Sequence, residues 1–252
     1  MIARLAILLC VLALPLRAEE IVADLSQNRI AITANFDGSE ILIFGAIKRQ
    51  SPIDTSNPLS VIVAISGPDE PLTVRRKSRA LGIWINTAAV NVDRAPSFYA
   101  VSTTGPLRTV LTDTEDLRRK ITIRRVIRSV GAPQNIMDPA NFSEALIRLR
   151  ERNQLYQLNE GGVSFADQTL FRSSVRLPSN LVEGIYTTRI FLTRDGHVVS
   201  SYTTSLDVQK VGLERWIFNL AHHQPLYYGL LSILIAVVAG WGASTVFRYI
   251  RG

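Results

Sequence analysis

Polar and apolar positions alternate in short bursts over the first hundred residues, repeat at helical spacing in the middle, and merge into one uninterrupted run near the end. The bursts begin with Ile30-Ala31-Ile32-Thr33-Ala34, followed by an Asp37-Gly38 turn signal. Ile41 to Ala46 is a fuller apolar run, the pattern of a strand covered on both faces. Ser60 to Ser66 is another, closed by Gly67-Pro68-Asp69, and Leu72–Arg76, Gly82–Asn86 and Phe98–Thr103 follow. After the middle region the bursts return. Phe171–Leu177 ends at Pro178, and Gly184–Arg194 and His197–Val208 flank Asp195-Gly196, a strong short-range hairpin signal. On the first arm of that hairpin Ile185, Thr187, Arg189 and Phe191 share one face, and Tyr186, Thr188, Ile190 and Leu192 the other. Strands this short and evenly spaced predict a mainly β fold, an immunoglobulin-like sandwich over 19–210.

The middle, about 107–157, reads as a helical insert. Leu117, Ile121, Ile127 and Val130 lie near helical spacing over Asp113–Val130, with acids first and bases last, as a helix dipole favours. The Ile121-Thr122-Ile123 alternation keeps a strand open as the alternative. A second helix is signalled by Asn141 with Glu144 three positions on, a capping box, and by Phe142, Ala145, Leu146, Leu149 and Tyr156 on one face.

The uninterrupted run is Leu226 to Phe247, without a charge. At about 1.5 Å per residue it spans roughly 33 Å, against a hydrocarbon core of about 30 Å. Tyr227, Tyr228 and Tyr249 sit at its ends, where interfacial rings belong. Ser232, Ala236, Gly240 and Ser244 form a stripe of small residues, the pattern that lets a second helix approach closely. The expected partner is a second copy of the chain or a polytopic membrane protein. Residues 211–225 form an amphipathic link, with Leu213, Trp216, Ile217 and Leu220 on one side. At the other end, 1–18 reads as a secretory leader with Arg4, an apolar Leu5–Leu14 and a cut after Ala18. Leu16 is large for the position three before the cut, which leaves an uncleaved anchor as the alternative.

Flanking charge does not orient the spanning helix: Arg248 and Arg251 stand against Lys210 and Arg215. The leader does, placing the body outside the cytoplasm, in the periplasm of a bacterial inner membrane, and the tail 248–252 inside. Such a tail is too short to carry a signalling output.

Composition adds exclusions. The net charge is +7, but between Glu19 and Pro225 there are 24 basic residues against 21 acidic ones, too small an excess to argue for nucleic acid. The only cysteine, Cys10, lies in the leader, so a mature body would have no disulfide and no thiolate chemistry. The insert holds 10 basic and 6 acidic residues. Its Arg118, Arg119, Arg124 and Arg125 are the candidate contacts for a small anion or for lipid headgroups. Arg75-Arg76-Lys77 with Arg79 reads as a solvated hairpin end. No nucleophile elbow, phosphate loop or zinc-protease helix occurs, and His222-His223 lack a third ligand nearby. No enzyme, metal or cofactor is expected.

Phe171–Pro178, Glu183–Tyr186 and Ile190–Gly196, with Phe142–Leu149 and Gly162–Phe165, resemble the alphaproteobacterial putative transmembrane protein family from about Glu20 to Arg248. The resemblance implies a leader, a periplasmic body and one C-terminal helix, with no catalytic residue to carry over. It also implies a transporter accessory role, because genes of that family lie beside permeases resembling sulfite and organosulfonate exporters. A periplasmic module that binds or senses a small anion is the alternative.

Overall fold

The structure, a computed structural model, describes residues 19–33, 36–49, 52–53, 56–80, 82–129 and 138–251. The leader therefore lies outside the described residues, as does Val130. The chain divides into two compact units, one from Met1–Ile30 with Asp37–Val208 and one from Ala31–Phe36 with Gln209–Gly252.

The first unit is built on two sheets. The smaller takes β1 (Glu20–Leu25), β3 (Ser39–Lys48), β9 (Val163–Ala166) and β10 (Leu170–Leu177) in the order β1-β3-β10-β9. β1 and β10 alternate strictly, burying Ile21, Ala23 and Leu25 on one and Phe171, Ser173, Val175 and Leu177 on the other. β3 was expected to be covered on both faces. It buries only Ile41, Ile43 and Ile47 and leaves Phe44 exposed, because none of the described residues covers the outer side of this sheet there.

The larger sheet runs β2-β12-β11-β4-β7-β8. Its members are β2 (Arg29–Ile32), β4 (Leu59–Ser66), β7 (Tyr99–Thr103), β8 (Tyr156–Asn159), β11 (Gly184–Arg194) and β12 (His197–Lys210). The sheets meet where β4 approaches β9 and β7 approaches β10. Tyr186, Thr188, Ile190 and Leu192 fill this inner side and are almost fully buried, as their alternation predicts. β7 is buried along its whole length because the insert covers its second face. β8 pairs with β7 in parallel, whereas β4 pairs antiparallel to both β7 and β11.

The expected short strands at Leu72–Arg76 and Gly82–Asn86 belong to a long hairpin, β5 (Asp69–Ala80) and β6 (Ile83–Pro96). Its base forms a second small core. Val74, Val90, Val92 and Ala95 pack on Phe142 and Leu146 of a helix in the insert.

That helix is α4 (Pro139–Arg152). It starts two residues before the expected capping box. Proline occupies the first turn, where a missing N–H costs nothing, and Asn141 Nδ2 donates to Asp138 Oδ2 at 3.0 Å. This bond, with Arg76 adding, holds the Asp138 carboxyl below the usual aspartate range. Glu144 instead faces Arg124, Leu149 points to solvent, and Tyr156 begins β8.

The single helix expected over Asp113–Val130 is not formed. α1 (Leu107–Val110) is followed by α2 (Asp113–Arg119) and α3 (Ile123–Val126), with Lys120 left-handed between the last two at φ 52°. Arg128 then joins Arg94 in an isolated bridge. The break has a cause in the carboxylate of Asp116, described below.

The second unit contains α5 (Leu213–His223) and α6 (Pro225–Arg251). Within α6, Pro225–Thr245 is long and apolar enough to cross a membrane, and none of it is buried in the protein.

Candidate functional site

A groove of about 900 Å³ opens in the insert. Its apolar floor comes from Val101 on β7, Leu158 on β8, Leu107 and Leu111 around α1, and Ile123 and Ile147. Its rim carries Arg108, Arg124, Arg125 and Arg148 against Asp113, Asp116, Glu144 and Glu151. Four guanidinium groups against four carboxylates leave the rim without a net sign.

The four arginines singled out in the sequence are all engaged. Arg118 and Arg119 both face Glu115, at 3.2 and 3.7 Å, across one turn of α2. Arg124 reaches Glu144 at 2.9 Å and so ties α3 to α4. Arg125 Nε lies 3.7 Å from Asp116. Arg124 and Arg125 line the groove, and Arg118 and Arg119 do not. An anion approaching Arg124 or Arg125 meets a carboxylate with it, which lowers the local potential it can use.

The wall of the groove rests on a polar network that sequence reasoning missed. Asp116, buried at the end of the first turn of α2, accepts from the backbone N–H of Ile121 at 3.1 Å and of Thr122 at 2.8 Å. It also accepts from the Thr122 hydroxyl at 2.7 Å. A carboxylate that takes two backbone donors beyond the helix end competes with helix continuation, so the chain turns at Lys120. On the other side of the turn Arg189 of β11 donates to the carbonyls of Arg119 and Lys120, both at 2.9 Å. Arg189 also donates to Tyr99 Oη at 3.0 Å, and Tyr99 donates to the Ile121 carbonyl at 2.8 Å. Burial pushes the Tyr99 phenol up to about 12, against the pull of Arg189, so it stays a neutral donor. The signal for Asp116 was present as an acid at a helix start. That role is so common that the second one was hidden.

The small-residue stripe lies along α6. Ser232, Ala236, Gly240 and Ser244 are exposed, and a Cβ built on Gly240 meets nothing within 4 Å. Ser232 Oγ turns back to donate to the Tyr228 carbonyl at 2.9 Å, so its hydroxyl is satisfied within the helix. His222, on α5, stacks on Phe218 at 4.0 Å. Among the described residues no cluster of three or more His, Cys, Asp or Glu is placed to hold a metal.

Residues 20–249 match the model of the family described as "Putative transmembrane protein (Alph_Pro_TM)". The chain belongs to this family. The family match and the exposed apolar α6 agree: this is a membrane protein with one C-terminal helix long enough to span. No curated protein matches the chain in sequence. Among solved structures, a family 123 glycoside hydrolase from Clostridium perfringens, described for glycolipid glycan hydrolysis, aligns with 77% of this chain at 10% identity and a TM-score of 0.25. The chain spans only 28% of that enzyme's length.

Proposed function

We propose that this family member is a non-enzymatic accessory subunit, anchored by α6, whose insert groove receives a polypeptide segment of an integral membrane partner. The observation that carries the reading is the groove itself. It joins six apolar side chains to four arginines and four carboxylates, with no net sign. That composition suits a peptide, which brings apolar side chains and both charge signs together. The candidate anion contacts Arg118, Arg119, Arg124 and Arg125 each already face a carboxylate, which weakens them as a small-anion site. The stripe on α6 offers a second contact within the bilayer. The family resemblance suggests a permease of the sulfite and organosulfonate exporter kind as the partner, with a second copy of the chain as the alternative along the stripe.

The test is co-purification of the full chain with such a permease in mild detergent. Leu158→Asp alters the groove floor at an exposed position, and Gly240→Ile fills the stripe where space is open. Each is expected to reduce the recovered permease about tenfold, the cost of roughly 1.4 kcal/mol of lost contact. If both variants retain the permease at the parent level, neither surface is the contact.

The body is proposed to lie in the periplasm, with a cleaved leader and α6 in the inner membrane. Lys210 ends β12, and α6 runs to Arg251, so the expected tail 248–252 begins inside the helix. Alkaline phosphatase fused after Lys210 is therefore expected to be active, and fused after Gly252 inactive. The opposite pair of activities would refute this topology.

A further inference from the structure

The β5–β6 hairpin continues past α4 as a bare two-stranded arm. Its base is covered by α4 through Val74, Val90 and Val92, but from Lys77 to the tip and back to Asn86 every described residue is exposed or half-exposed. A two-stranded ribbon on its own is marginal in water, and this one carries its largest apolar groups at the unsupported end. Ile83 is 64% exposed, Trp84 68% and Ile85 40%.

The register sorts the arm into two faces. Residues directly opposite across an antiparallel pair share a face. Arg79 stands opposite Trp84 and Lys77 opposite Asn86, and Arg75 alternates onto the same side of β5. Ser78 stands opposite Ile85 and Ala80 opposite Ile83, giving the other side. One face is basic with a tryptophan near its tip, and the other is apolar.

Charge is one-sided as well. Between Pro71 and Val92 the sequence holds four basic residues and no acid. Arg76 is taken by Asp138 at 2.7 Å and lies over the Phe142 ring. Arg75, Lys77 and Arg79 face no carboxylate among the described residues, in contrast to Arg118, Arg119, Arg124 and Arg125 of the insert.

We propose that this arm is a second membrane contact, in which Ile83, Trp84 and Ile85 enter the interface of an anionic phospholipid surface while Arg75, Lys77 and Arg79 meet its headgroups. Aromatic and aliphatic side chains beside uncompensated cations are what such an interface selects. A protein groove would need its own acids to meet the same three cations. The anchor makes weak contacts effective, because a tethered body meets a bilayer at high local concentration. This contact is independent of what occupies the insert groove.

The test uses the full chain in nanodiscs, with Trp216→Phe and Trp241→Phe so that Trp84 is the only one of three tryptophans left. The discs contain brominated phosphatidylcholine, alone or mixed with phosphatidylglycerol. Trp84 emission is expected to be blue-shifted and quenched in the anionic discs and unquenched in the neutral ones. A combined Arg75→Glu, Lys77→Glu, Arg79→Glu variant is expected to lose the quenching in anionic discs. Unquenched Trp84 in both lipids would overturn the proposal, and so would quenching that survives charge reversal. The comparison of the two lipids needs no substitution in the arm, so it stands even if the charge-reversed variant folds poorly.

Discussion

Replacing Asp116 with alanine is expected to loosen the whole insert and to destabilise the chain by about 3 kcal/mol. The carboxylate accepts three hydrogen bonds, two of them from backbone N–H groups that have no other acceptor in the turn. One of those donors belongs to Ile121, a fully buried residue, so water cannot simply take the vacated place. Removing the acceptor leaves the desolvation penalty of each donor, typically about 1–3 kcal/mol. The damage spreads, because the same turn is held from the other side by Arg189 and Tyr99. Asp116→Asn keeps one good acceptor oxygen and is expected to lose about half as much. Urea unfolding of the detergent-solubilised chain measures the loss, and amide exchange at Ile121 and Thr122 locates it. A change under about 0.5 kcal/mol, the range of ordinary surface substitutions, would show that the turn does not depend on this side chain.

Gly45→Val is expected to be at least as damaging, about 3 kcal/mol or more, by overpacking. Gly45 lies on the inward face of β3, opposite Ala23 on one side and Phe171 on the other. A single Cβ there would already stand 2.5 Å from the Val22 carbonyl oxygen, 2.6 Å from Phe171 Cζ and 2.8 Å from Ala23 Cβ. The first obstacle is backbone, so a rotamer change cannot relieve it. Ala46→Val, one residue on and facing outward, is the control and is expected to stay within about 0.5 kcal/mol. If the two substitutions cost the same in urea unfolding, the close approach at Gly45 is not what fixes the spacing of this sheet.

These two residues also mark where the sequence stops being legible. The hairpin of β11 and β12 was readable because Asp195-Gly196 and strict alternation are local signals, and the spanning helix because length and absence of charge suffice. The turn at Lys120 was not readable. Asp113, Glu115 and Asp116 satisfy a helix dipole equally well in a long helix and in a short one, and the decision falls to Tyr99 and Arg189, distant in sequence. The length of β5 and β6 was missed for a related reason. Arg75, Lys77 and Arg79 look like a turn region when read locally, yet they lie on a ladder carried outward from a base that α4 stabilises. Within the groove, the arginines could be picked out as a charge excess. Which of them line it, and that Glu144 and Asp116 stand beside Arg124 and Arg125, is decided by folding, which leaves six of the ten basic residues of the insert outside the groove.

The parallel pairing of β8 with β7 has a consequence for how the chain reaches this state. Two neighbouring strands that run the same way cannot be joined by a tight turn; the chain must travel back over the sheet before starting again. Here α1 to α4 are that return journey. The insert thus could not be trimmed to a tight turn, and the connection from Thr103 to Tyr156 must close before β8 can join the sheet. Contacts that depend on closing so long a segment form late. Until they do, the outer edge of β7 stays open, with Ala100 and Val101 able to pair with another unfinished chain. The slow step of maturation is therefore expected to be completion of that edge, and misassembly between copies is expected to begin there.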